Sequence, residues 1–288
     1  MIAYESIKKL SGDLYDWSLK KIPEDTKLRL NRALDIETGE NAKKVLQFMI
    51  KSSQLAEEKE RFLCSDAGVP VYAVKIGTQA RFEGDIKRAF SEGFDELVER
   101  IDPPLLKFVQ NPLTNERSFK GKDMPIISWD IVDSADYIDI TCSPKALGSG
   151  RWATLEIFVY PSLEDIERFI METVIKAGSQ HCPPVMIGVG IGGSFDHAAK
   201  MAKMATLRKL ETINPEPILA DMERRLLIAI NKTGFGPMGQ GGDTTALGIH
   251  IDYSAGHGFT PVAVCFNCWI NRRTRARIYN SGKIERIE

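Results

Sequence analysis

The stretch Cys182-Pro183-Pro184-Val185-Met186-Ile187-Gly188-Val189-Gly190-Ile191-Gly192-Gly193-Ser194 decides the reading of the fold. The apolar run through Val189 has the content of a short buried strand, and a glycine cluster closes it. A helix then opens at Ser194 and runs from about Phe195 to Thr212. Strand, glycine turn and helix in that order point to an α/β architecture.

Working upstream, Ser162-Leu163-Glu164-Asp165 has the form of a capping box, with Ile166, Phe169, Ile170 and Val174 on the inner face of the helix it introduces and Gly178 at its end. Strands are expected at Ile126 to Ile131, Tyr137 to Thr141 and Ala153 to Val159. Residues 102 to 125 are rich in Pro, Asn, Lys and Gly and read as a long loop. Glu83 to Ile101 is an amphipathic helix, and Val69 to Ile76 a strand closed by Gly77. The first sixty residues read as helices broken at Pro23. Downstream, a helix from Pro217 to Ile230 leads to the glycine-rich segment Gly234 to Gly242, then to strands Ala246 to Tyr253 and Pro261 to Phe266. No repeat or linker composition interrupts the chain. The expectation is a single α/β (α+β) domain over 1–288, with a helical part over about 1–60 and a mixed sheet with flanking helices.

Of the 288 residues, 38 are Lys or Arg and 39 are Asp or Glu, which leaves no basic field for nucleic acid. The longest apolar runs fall far below the roughly 20 residues of a spanning helix. Five cysteines, an odd number, and a start without the order of a secretory signal point to the cytoplasm and away from a disulfide framework.

Gly188-Val189-Gly190-Ile191-Gly192-Gly193 satisfies the letters of a dinucleotide fingerprint, but the acidic residue expected roughly 20 residues on falls near Glu211, inside the helical pattern. Two other readings stand: an anion site for phosphate or carboxylate at a helix N-terminus, and close packing of helix on strand. Cys265-Phe266-Asn267-Cys268 is compatible with a redox pair or half a zinc site. The alternative places Cys265 in the core and Cys268, past the strand, at a site. Cys142 ends an alternating strand and reads as a packed thiol. The four histidines are too scattered for zinc. His257 lies in a loop between Gly256 and Gly258, His181 flanks Cys182, and His197 lies in a first helical turn. From Arg273 on, Arg275 and Arg277 alternate with Thr274, Ala276 and Ile278 like one face of an edge strand, solvated or at a subunit contact.

Four segments together resemble the alpha subunit of class I iron-sulfur fumarases and L(+)-tartrate dehydratases. They are Cys64-Ser65-Asp66-Ala67-Gly68-Val69-Pro70; Cys182-Pro183-Pro184 with its glycine cluster; Gly236-Pro237-Met238-Gly239-Gln240-Gly241-Gly242 with Thr244-Thr245-Ala246-Leu247; and Pro261 to Trp269 with Asn271-Arg272-Arg273. The resemblance implies a [4Fe-4S] cluster on Cys64, Cys182 and Cys268, with one iron open to the substrate's hydroxyl and carboxylate. It implies a hydro-lyase acting on a small hydroxy acid, with Asp66 and His257 as catalytic groups and Ser65, Lys145, Gly148 and Ser149 as substrate contacts. A separate beta subunit would supply the base and further cations, in a homo- or hetero-oligomer. The family's glutamine and threonine are Ser65 and Ala67 here, an expected arginine is Leu106, and an expected lysine is Asp243. A guanidinium and an amide are thereby lost as anchors for a dicarboxylate, so the same reaction on a different substrate is expected. The competing expectation is a non-catalytic scaffold subunit that docks its partner.

Overall fold

The computed structural model describes residues 1–288. Helices α1 (Tyr4–Lys20), α2 (Glu24–Ile36) and α3 (Glu40–Glu58) come first, followed by β1 (Val71–Gly77), α4 (Ile86–Arg100), the short β2 (Val109–Gln110) and β3 (Arg117–Ser118), β4 (Ile126–Val132) and β5 (Tyr137–Cys142). Then come α5 (Leu147–Gly150), β6 (Thr154–Val159), α6 (Leu163–Ala177), β7 (Val185–Gly192), α7 (Phe195–Ala205) and α8 (Pro217–Asn231). The chain ends with β8 (Ala246–Ser254), β9 (Phe259–Asn267), β10 (Thr274–Tyr279) and β11 (Ile284–Arg286). This is the expected α/β class, helical at the start and mixed in its sheets. No helix is long and apolar enough to cross a membrane.

Backbone contacts divide the chain into two compact units. The first comprises Met1–Pro23, Ser53–Ala146 and Arg272–Glu288. Its five-stranded sheet runs β11-β10-β5-β1-β4, with β1 and β4 parallel and the other pairs antiparallel. Ile7, Leu10 and Leu14 of α1 and Phe90, Phe94 and Leu97 of α4 recur at helical spacing and meet Tyr72, Val74, Ile138 and Ile140 of the strands in one core. The 102–125 stretch is a loop but for the two-residue ladder of β2 and β3.

The arginine tail departs from expectation. β10 is not an edge, because β11 pairs with one side of it and β5 with the other. Arg275 and Arg277 both donate to the Asp139 carboxylate on β5, at 2.7–2.8 Å, and the buried Arg273 donates to Glu288 at 2.7 and 2.8 Å. Cations that alternate along a strand need an acid opposite them as much as they need solvent, and a single-strand pattern cannot show which they have.

The second unit comprises Glu24–Ser52 and Leu147–Asn271. Its sheet runs β6-β9-β7-β8, with β7 parallel to β8 and antiparallel to β9. One face carries α6 and α8 over Val185, Ile187, Val189, Val262, Val264 and Phe266. The other face carries α7, whose Ala198 and Ala202 sit on Ala263 and Cys265. α6 begins at the expected capping box, with Ser162 accepting the Asp165 N–H and Asp165 accepting that of Ser162. α7 is shorter than expected. The chain leaves the helix after Ala205, and the Leu210 N–H donates to the Asp25 carboxylate of α2 at 2.8 Å.

Candidate functional site

In the first unit, the loop from Cys64 to Pro70 is held by its backbone. Leu63 N–H donates to Leu19 O at the end of α1. The buried Arg272 guanidinium donates to Ala67 O at 2.7 Å and Asp66 O at 2.8 Å, and the Tyr15 hydroxyl donates to Gly68 O at 2.7 Å. Val69 and Lys145 exchange both backbone hydrogen bonds at 3.0 Å. Gly68 is required here: its φ is +76°, and a Cβ would meet Lys145 C and O at 2.6 Å. These ties bring Ser65, Asp66 and Lys145 into one neighbourhood, with Cys64 half-exposed beside them. Sequence reading did not assign Arg272 or Tyr15. Both act through backbone carbonyls, which leave no residue pattern to read.

In the second unit, Cys182 and Cys268 lie at the same end of the sheet. Cys182 precedes β7 and Cys268 follows β9, and the pairing of Met186 with Asn267 sets the two ends level. The Trp269 N–H donates to Cys182 O at 3.1 Å. Both thiols are half-exposed. Gly148 of α5 lies beside Cys182, since a Cβ built on it would stand 3.7 Å from the Cys182 sulfur, and the neighbouring Ser149 is buried. The glycine-rich segment reaches the same end, with Met238 N–H donating to Pro183 O at 2.8 Å. His181 is fully buried against Phe266, ring centroids 4.9 Å apart, and neither ring nitrogen has a hydrogen-bond partner. Burial pushes its pKa down to about 4, so the ring is neutral at physiological pH.

The other two cysteines face the cores. Cys265 points from β9 at α7, as one of the two sequence readings had it. Cys142 is fully buried in the first unit, and burial pushes its thiol well above the usual range. His257 is exposed and stacks on Phe259, ring centroids 5.8 Å apart, at the start of β9. Cys268 follows the last residue of that nine-residue strand. At about 3.4 Å per residue the strand separates them by roughly 25 Å. Within this chain His257 and Cys268 therefore stand at opposite ends of β9.

The glycine cluster serves packing. β7 continues through Gly192, so Gly188 and Gly190 lie inside the strand, where a Cβ would strike the carbonyl oxygens of Ala202 and Ala198 on α7. A dinucleotide fingerprint needs its glycines in the turn after the strand.

With this geometry in view, the comparisons with known proteins agree. The sequence profile described as fumarate hydratase (fumerase) matches residues 9–277. The chain belongs to this family. It is similar to a Methanocaldococcus jannaschii protein provisionally named L(+)-tartrate dehydratase subunit alpha, 38% identical over 272 residues, which cover 91% of this chain and 94% of that one. Two further relatives, both named L(+)-tartrate dehydratase subunit alpha, come from Escherichia coli. That of strain UTI89 is 29% identical, covering 93% of this chain and 89% of its own; that of O157:H7 is 30% identical, covering 88% and 84%. The chain is thus a hydro-lyase of the fumarase and tartrate dehydratase type.

The residues present fit the iron-sulfur group that the family implies. Three cysteines are half-exposed and two are buried, and the half-exposed ones are the three that the resemblance assigns to the cluster. No three His, Cys, Asp or Glu side chains gather as ligands of one metal ion; a cluster differs in that each thiolate takes its own iron. Asp243, at the position where the resemblance led us to expect a lysine, accepts the Thr38 N–H at 2.8 Å and the Thr38 hydroxyl at 2.7 Å, and these hydrogen bonds hold its carboxyl below the usual range. That position fastens the α2–α3 turn.

Proposed function

We propose that this chain is the alpha subunit of an iron-sulfur hydro-lyase that reversibly removes water from a hydroxy (di)carboxylic acid, with a [4Fe-4S] cluster held by Cys64, Cys182 and Cys268. The observation that carries the reading is the pairing of half-exposed Cys182 and Cys268 at one end of the second unit's sheet, while Cys142 and Cys265 are sealed in cores. When bound, a cluster held by three thiolates keeps one iron open as a Lewis acid for the substrate's hydroxyl and carboxylate.

The chain's own residues have separable tasks. The Lys145 ammonium binds a substrate carboxylate, and the Ser65 hydroxyl donates to one. Gly148 keeps the space beside Cys182 open, with Ser149 buried behind it. The Asp66 carboxylate, its own carbonyl fixed by Arg272, orients the group that takes the proton from the carbon next to the leaving hydroxyl. That base comes from a separate beta subunit. His257, exposed at the start of β9, is the second catalytic group of this reading.

Leu106 and Asp243 occupy positions where the resemblance led us to expect an arginine and a lysine, and Asp243 is committed to Thr38. This favours a hydroxy acid other than fumarate's hydrate or tartrate. The test is anaerobic co-expression with a beta subunit, followed by iron analysis and a panel of hydroxy acids screened for water loss. The expected result is a brown complex whose colour bleaches in air and which dehydrates one acid of the panel. A colourless, iron-free complex inactive on every acid overturns the proposal.

A further inference from the structure

We propose, resting on the cluster assignment above, that His181 gives a hydrogen bond from its imidazole N–H to the sulfur of a cluster held at Cys182 and Cys268, and so raises that cluster's reduction potential. Three buried, uncharged polar groups in the second unit have no hydrogen-bond partner: Trp152 Nε1, Thr244 Oγ1 and the ring nitrogens of His181. A buried donor left unpaired is costly, so such atoms mark a place where a partner arrives from outside the chain. All three residues lie at one end of one sheet. Trp152 stands just before β6, which begins opposite Val264 near the end of β9, and Thr244 stands just before β8, which begins opposite Val185. That is the end where Cys182 precedes β7 and Cys268 follows β9.

Of the three, His181 is the one that adjoins a cluster cysteine in sequence. Its ring is fully buried and packs on Phe266, two residues before Cys268. An imidazole carries at least one N–H in either tautomer, so the ring always has a proton to donate. The turn around it offers no partner. The Cys182 carbonyl accepts the Trp269 N–H and the Pro183 carbonyl accepts the Met238 N–H, while Pro183 and Pro184 have no N–H of their own. Thiolate and sulfide are anionic acceptors, and a hydrogen bond to either disperses negative charge. It therefore favours the more reduced, more negative cluster. In air, dioxygen takes one electron from such a cluster and leaves as superoxide. The hydrogen bond makes that electron harder to remove.

The experiment compares the wild type, His181→Leu and His181→Gln, each co-expressed with the beta subunit and purified anaerobically. The midpoint potential of the cluster is read by EPR during a redox titration. His181→Leu fills the site without a donor, and is expected to lower the potential and to bleach about tenfold faster in air. His181→Gln restores an N–H and should fall between the two. The cluster-free full chains should not follow that order: leucine removes two unpartnered nitrogens, so cluster-free His181→Leu should melt no lower than the wild type. A role in the fold alone would lower the melting temperature, leave the potential where it was and overturn the inference. In the reduced wild type grown with nitrogen-15 histidine, pulsed EPR should show a weakly coupled imidazole nitrogen that is missing from His181→Gln. An unchanged potential in loaded His181→Leu, or a loaded wild type with no coupled nitrogen, overturns the inference and leaves the cluster assignment standing. A wild type without iron overturns both.

Discussion

The Trp269 N–H donates to the carbonyl oxygen of Cys182 at 3.1 Å, tying the turn after β9 to the turn before β7 and setting Cys268 and Cys182 at one end of the sheet. Cys265, three residues earlier, points into the core beneath α7. Serine replacements should separate the two kinds of thiol. In anaerobically purified protein, Cys182→Ser and Cys268→Ser are expected to lose iron and visible absorbance. Cys265→Ser should keep both and cost about 1 kcal/mol of stability from a polar group placed in an apolar site. Iron analysis and the visible spectrum measure the first effect, and urea unfolding the second. Loss of colour in Cys265→Ser with retention in Cys268→Ser would reverse the ligand assignment.

Gly188 and Gly190 face the backbone of α7 so closely that a methyl group at either position would overlap a helical carbonyl. Gly188→Ala is expected to destabilise the chain by about 3 kcal/mol, because the overlap is with backbone and the helix must move. Gly234→Ala is the control. Its φ is +70° with nothing within 4 Å of the new Cβ, so only backbone strain of about 1 kcal/mol applies. Denaturant unfolding of the pair distinguishes packing from strain, and equal losses would contradict the packing account.

Periodicity and turn chemistry were legible where one element carries its own signal. The capping box at Ser162 and the break at Pro23 stand where the sequence put them, whereas β7 runs on through Gly192, past its expected end at Val189. What could not be read is what depends on a partner element. The arginines of β10 required knowledge that Asp139 lies on the neighbouring strand. The end of α7 depends on a carboxylate of α2 some 185 residues away in sequence. The chain passes between the two units at four places, and only the first, after Pro23, coincides with a break the sequence marks; the second falls inside α3, between Ser52 and Ser53. The distance between His257 and Cys268 likewise depends on what the chain between them does, and here it forms a strand.

Asp139 is buried on β5, and although burial alone would raise its pKa, the hydrogen bonds from Arg275 and Arg277 hold the carboxyl below its usual value. A carboxyl with a depressed folded-state value stabilises the fold above its unfolded value of about 3.9 and loses that contribution as the pH falls through the folded value. Asp139→Asn should cost about 3 kcal/mol at neutral pH, because two guanidinium groups lose their counter-charge. The variant should also be less sensitive to pH below about 4. Urea midpoints of both proteins across that range provide the comparison. A variant with the wild-type slope in acid would show that the pair contributes no pH-dependent stability.

Arg272 donates through both terminal nitrogens to the carbonyls of Asp66 and Ala67, a fork that a lysine cannot reproduce because its single ammonium is a point donor. Removing it leaves two carbonyl oxygens beside Cys64 without their charged donor, at a cost of about 2 kcal/mol concentrated in that loop. In Arg272→Ala, amide hydrogen exchange is expected to quicken in the peptide covering residues 64–70 more than in β7 or α6. Arg272→Lys should fall between the variant and the wild type. Iron retention should decline in the same order, since a thiolate on a loosened loop holds its iron less well. If exchange quickens uniformly across the chain, Arg272 supports the fold as a whole. If it changes nowhere while iron is lost, the residue acts on bound iron by a route other than the loop.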